Sequence, residues 1–144
     1  MDFELINGQE YETAREELGA NFVRILGYFR EDGLKSVEQV EEAMRTRNSA
    51  ALIIPAHTLK GESRQFGSKA LGDLAEKIEM TARHCVETRT GPEELIAEVA
   101  GLRECFTRTL VELEKHSSPV LAQRKSAGFG RKVSLSSLTG LTRG

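Results

Sequence analysis

The sequence predicts an all-α protein: an antiparallel, up-down-up-down four-helix bundle with one additional short helix and a flexible basic C-terminal tail. Three observations carry this. Apolar residues recur at helical spacing through the first 116 positions, no set of period-2 runs joined by hairpin turns occurs, and the connections between helical stretches are short, which favours antiparallel neighbours. The 144 residues, 39% hydrophobic and 29% charged, suffice for one domain with one modest core.

Leu18, Phe22, Ile25 and Phe29 stand at i, i+4, i+7 and i+11, which predicts a helix over residues 9–32 with Gly33 as its stop. A shorter helix is expected over 36–46, at one end of the bundle, with Val37, Val40 and Met44 inward. Asn48 can cap a third helix, whose buried stripe is Leu52, Ala56, Leu59, Ser63 and Phe66. Pro55 lacks the N–H that would bond the Ala51 carbonyl, so a kink or a helix start is expected there. Gly67 and Ser68 supply a stop and a new cap. Leu71, Leu74, Ile78, Ala82 and Cys85 then line a fourth helix ending before Gly91. Pro92 opens a fifth, where its missing N–H does little harm, with Val99, Leu102, Phe106, Leu110 and Leu113 inward.

Charge divides the chain at the end of this last helix. Residues 117–144 hold five cations (Arg124, Lys125, Arg131, Lys132, Arg143) and no carboxylate, so residues 1–116 keep 15 of the 20 cations against all 22 carboxylates, a net charge of −7. The expected organisation is an acidic helical domain over 1–116 and a flexible Ser/Gly-rich tail over 117–144. An acidic body repels phosphate backbones, so nucleic acid is not an expected partner. Val133, Leu135, Leu138 and Leu141 give the tail a short apolar pattern, and docking on a partner or lipid is the minority expectation for it. No stretch is long and apolar enough for a transmembrane helix and no secretory signal opens the chain, so a cytoplasmic location is expected. Cys85 and Cys105 form no CxxC pair and are expected as reduced thiols; His57, His84 and His116 have no metal-ligand spacing, and no metal site is predicted. Nothing demands a dimer, and a monomer is expected.

The third helix carries more than packing requires. His57, Lys60, Gly61 and Arg64 fall at i, i+3, i+4 and i+7, on a face distinct from the Leu59, Ser63 and Phe66 stripe, so His57 is predicted to point at water. Gly61 disfavours the helix by about 1 kcal/mol relative to Ala, and on an exposed face no core contact explains it. An exposed imidazole is largely uncharged at neutral pH and offers a ring nitrogen as nucleophile, while a cation one turn on stabilises an incoming anion. Phosphoryl transfer asks for that pairing, because positioning and charge neutralisation supply most of its catalysis. An exposed His beside a Lys is more often a merely solvated face, so the pattern alone leaves both readings open.

The string Ala56-His57-x-Leu59-Lys60-Gly61-x-Ser63-x-x-x-Gly67-x-x-x-Leu71-x-x-Leu74, followed by Ile78-Glu79, resembles the signature of histidine-containing phosphotransfer (HPt) domains of multistep phosphorelays. The resemblance implies a four-helix bundle whose exposed His exchanges a phosphoryl group with an aspartyl phosphate on a response-regulator receiver domain. It makes His57 the phosphoacceptor, reacting through Nε2, and Lys60 the cation that steadies the phosphoryl group. Gly61 becomes the small residue that lets the receiver approach, with Arg64 as a candidate phosphate or partner contact. Ser63 and Gly67 match positions that pack and end the helix. Glu79 matches a position where the chemotaxis-kinase branch carries a carboxylate that hydrogen-bonds the histidine Nδ1 and so favours a free Nε2. Glu62 departs from the pattern, standing where a small residue is frequent.

The implied function is a phosphocarrier with no ATP site of its own, working between receiver domains and a hybrid or sensor histidine kinase. Mg²⁺ is expected in the receiver's acidic pocket and no cofactor on this chain. The main alternative is a pseudo-HPt adaptor that binds receivers or another signalling partner without chemistry. A sensor-kinase dimerisation domain fits less well, since Thr58 rather than an acidic residue follows His57 and no Gly-rich nucleotide-binding region is present. A hydrolase lacks its nucleophile elbow.

Overall fold

Asn7 caps the first helix. In the computed structural model, which describes residues 5–116, its side-chain oxygen accepts from the Glu10 amide at 3.0 Å and opens α1 (Gly8–Leu18). Gly19, at φ +55°, closes it, and a single 3₁₀ turn over Gly19–Asn21 leads into α2 (Phe22–Arg45). The stretch expected as one helix over 9–32 is therefore two.

The expected stop at Gly33 does not occur, and α2 runs on to absorb the short helix expected over 36–46. Gly33 serves a close approach instead. A Cβ there would lie 2.8 Å from Phe106 Cζ and closer still to Cε1, so only glycine lets that ring rest on the α2 backbone. The short helix of the fold is α1.

Asn48 Oδ1 accepts from the Ala51 amide at 3.1 Å and starts α3 (Ser49–Gln65), as the sequence predicts. Pro55 lies inside this helix and does not begin it, because the Asn48 cap nucleates the helix a turn and a half earlier and the ring is buried. Gly67, at φ +71°, makes the turn into α4 (Lys69–Thr88); its carbonyl accepts from the Asn7 amide at 2.8 Å, and a Cβ on it would fall 2.9 Å from Tyr11 N. Ser68 is buried and makes no side-chain capping bond, unlike the cap expected there. Arg89, itself left-handed at φ +57°, caps α4, which ends before Gly91 as expected. Pro92 precedes a 3₁₀ turn, Glu93–Leu95, and α5 (Ile96–Lys115) follows.

Cross-contacts fix the packing of α2 to α5 as an antiparallel bundle. Phe29 meets Phe66 between α2 and α3, with ring centroids 5.3 Å apart, and Phe106 between α2 and α5 at 5.8 Å; Arg103 of α5 pairs with Glu41 of α2 at 2.8 Å. Lys77 of α4 pairs with Glu98 of α5 at 2.7 Å. Tyr11 and Phe22 extend the aromatic chain from Phe66 to α1, sealing the end of the bundle where α3 turns into α4. The predicted inward residues Leu52, Ala56, Leu59, Phe66, Leu71, Ile78, Ala82, Leu102, Phe106 and Leu113 are all buried. No helix among the described residues is long and apolar enough to cross a membrane. The tail over 117–144 lies outside the described residues.

Candidate functional site

Two helices build the site, and their antiparallel register decides which side chains meet. On α3, His57 projects from the face opposite the Leu59 and Ser63 stripe, with its side chain 57% exposed. Glu79 of α4 faces it and is only 2% exposed, the most thoroughly buried of the carboxylates on that helix. His57 Nδ1 lies 3.0 Å from Glu79 Oε2, so the hydrogen bond implied by the family resemblance is formed.

Glu79 gathers nitrogen donors from three side chains. Lys60 Nζ lies 2.9 Å from Oε1, while Oε2 accepts from Arg83 Nη2 at 2.8 Å and Nε at 3.1 Å as well as from His57. Burial pushes the carboxyl up, but the hydrogen bonds from Lys60, Arg83 and His57 outweigh burial and hold it at about 2. It is therefore ionised at neutral pH and acts only as an acceptor. The ring atom facing it must carry the proton, which leaves Nε2 as the bare nitrogen of the neutral imidazole. A buried carboxylate thus orients the ring and selects its tautomer.

Each residue singled out in the sequence has a definite place. Gly61 is exposed, and a Cβ built on it meets nothing within 4 Å, so the helix surface beside His57 is open. Arg64 does not stand free for a ligand: it bridges to Glu76 at 2.5 Å and Asp73 at 3.2 Å on α4 and lies across Gly72. Ser63 is fully buried and donates to the Leu59 carbonyl at 2.6 Å, away from the His57 face, so it packs the helix and does not support the ring. Glu62 turns toward α2, where burial and the Asp32 charge push its carboxyl up to about 6.

Arg83 is the residue that the sequence reasoning missed. Its signal was available: Glu79 and Arg83 are four apart, the orientation that favours an ion pair on a helix. Ile54, one turn before His57, is 70% exposed beside a shallow groove lined by Ala43, Ala51 and Pro55. Among the described residues no three His, Cys, Asp or Glu side chains converge as a metal site. Cys85 is buried and Cys105 half-buried, and both are free thiols.

An exposed histidine held by a buried carboxylate, with a lysine one turn on and an open glycine beside it on a four-helix bundle, defines a helical phosphotransfer module. The family comparison agrees: the model of the Hpt domain matches residues 24–113, and the chain belongs to that family. Comparison with curated proteins and with solved structures returns no significant match. The matched span runs from near the start of α2 to near the end of α5 and takes in His57, Lys60, Gly61, Glu79 and Arg83. The protein accordingly has a phosphotransfer role and works with other phosphorelay components.

Proposed function

We propose that His57 is the phosphoacceptor of this protein, taking a phosphoryl group from the aspartyl phosphate of a receiver domain and passing it to another response regulator. The observation that carries this is the 3.0 Å contact from Nδ1 to a buried, ionised Glu79, which assigns the proton of the neutral ring to Nδ1 and turns Nε2 outward as its lone-pair nitrogen on an exposed side chain. In the transfer, the Nε2 lone pair attacks phosphorus, and the N–P bond forms as the bond to the aspartyl oxygen breaks. The aspartate leaves as a carboxylate with that bond's electron pair. The ring, keeping its Nδ1 proton, becomes cationic, and Glu79 neutralises it in place.

Lys60 is the cation within reach of the phosphoryl oxygens, one turn along α3. The open surface at Gly61 and the exposed side chain of Ile54 offer the receiver a place to dock. The chain serves as a carrier without an ATP site, and Mg²⁺ belongs to the receiver's acidic pocket.

The test mixes the purified protein with a phosphorylated receiver domain and Mg²⁺ and follows label onto wild type and His57→Gln. Acid-labile, alkali-stable label on wild type alone is the expected result. Absence of label from every receiver tried, with helicity intact, would replace this reading with a pseudo-HPt adaptor.

A further inference from the structure

Glu79 is shared by two cations, although one would suffice to neutralise it. Lys60 approaches Oε1, and Arg83 approaches Oε2 beside His57. Their situations differ. The Lys60 side chain is 20% exposed and comes from α3, three residues after His57; the Arg83 side chain is 48% exposed and comes from the same helix as Glu79, one turn on. A lysine that steadies a phosphoryl group on His57 has to share its three-donor ammonium between Oε1 and the phosphoryl oxygens, weakening its hold on the carboxylate. If it were the only resident cation, its departure before the ring becomes cationic would leave a buried carboxylate unneutralised, which is strongly destabilising.

We infer that Arg83 is a positioning residue: by holding Glu79 Oε2 it keeps the carboxylate on His57 Nδ1 and frees Lys60 to engage the transferred phosphoryl oxygens. This division of labour rests on the phosphoacceptor reading above. The guanidinium suits the standing role. Its Nε and Nη2 both reach one oxygen, fixing the orientation of the carboxylate, whereas an ammonium is a flexible point charge suited to moving between partners. With Arg83 removed, Lys60 becomes the sole counter-ion of Glu79. It is then retained at Oε1, and Oε2 is held only by the imidazole it is meant to orient.

Arg83→Ala and Arg83→Lys test this alongside wild type. Nitrogen NMR of the His57 ring at neutral pH reads which nitrogen carries the proton, and single-turnover transfer from a phosphorylated receiver is measured together with receiver affinity. Wild type is expected to hold the proton on Nδ1, Arg83→Ala to populate both tautomers, and Arg83→Lys to restore most of the preference. Arg83→Ala should slow transfer about tenfold with receiver affinity unchanged, the size seen when an outer partner of a ligand histidine is lost. Lys60→Ala should slow transfer while leaving the proton on Nδ1, because Arg83 still holds Oε2.

An Arg83→Ala protein with unchanged tautomer and unchanged rate would overturn the inference. So would a loss confined to receiver affinity, which would make Arg83 a partner contact. If wild type accepts no label from any receiver, the phosphoacceptor reading falls, while the tautomer comparison still decides whether Arg83 governs Glu79.

Discussion

Glu79→Gln converts the buried carboxyl at the centre of the site into an uncharged group of nearly the same shape, in effect a permanently protonated Glu79. The ion pairs with Lys60 and Arg83 and the bond from His57 hold that carboxyl at about 2, against an ordinary 4.5, even though burial opposes them. At about 1.4 kcal/mol per unit, the ionised form stabilises the fold by about 3 kcal/mol at neutral pH. Because the folded value is depressed, this contribution is complete above the unfolded value near 4.5 and is lost as pH falls toward 2. Glu79→Gln has none of it at any pH. The stability gap between wild type and variant is therefore about 3 kcal/mol at pH 7 and narrows by about 1 kcal/mol at pH 3.5. Urea unfolding followed by far-ultraviolet circular dichroism at a series of pH values measures both numbers. A gap that is below about 1 kcal/mol at neutral pH, or that stays constant with acidification, would refute the charge-based account of the site.

Glu62 gives the opposite sign: burial and the Asp32 charge raise its carboxyl to about 6, so the fold loses stability as pH rises from about 4.5 to about 6. Glu62→Gln should gain about 1 kcal/mol at pH 7, after allowance for solvent screening, and nothing at pH 4, read by the same urea series. Gly33→Ala should lose about 1–3 kcal/mol, since the Phe106 ring is itself packed against Phe29 and has little room to retreat. Gly61→Ala, with open space around it, should gain about 0.5–1 kcal/mol, so thermal melts of the two glycine variants move in opposite directions. Asn48→Ala removes the acceptor of the Ala51 amide and should cost about 1 kcal/mol, visible as a lower melting temperature.

Helical periodicity made most of the fold legible, because a buried stripe such as Leu52, Ala56, Leu59 and Phe66 is a direct imprint of the core. Glycine misled in both directions. Gly19 ends α1 through its positive φ, while Gly33 ends nothing, and only the position of the Phe106 ring in three dimensions distinguishes the two. Arg89 adopts a left-handed cap that sequence rules assign to glycine, so α4 ends before Gly91, as expected, without a glycine closing it. At the site, residues spaced along α3 were readable from the helical repeat. What crosses between helices was not: the pairing of Arg64 with Asp73 and Glu76 depends on the register of α3 against α4, which no single-helix pattern encodes. Glu79 was reached only through the motif resemblance. Arg83 lay outside that motif, and its role becomes visible once Glu79 is known to point inward.

Pro55 divides α3 into halves that are anchored separately. The Ala51 carbonyl has no helical donor across it, so the ladder of amide bonds is interrupted two residues before His57. The half before it is tied to the α2–α3 turn through Asn48, to the α4–α5 connection through Ser49, whose hydroxyl donates to the Thr90 carbonyl at 2.9 Å, and to the core through the single buried apolar side chain of Leu52. The half after it is fixed by Leu59, Ser63 and Phe66 in the core and by the ion pairs across to α4. Local opening of the first half, as at a frayed terminus, can therefore proceed without carrying the second along. Backbone amides before Pro55 should exchange with solvent faster than those of Leu59 and Ser63. The histidine rides on the slower half, so breathing at that end of the bundle leaves its geometry undisturbed.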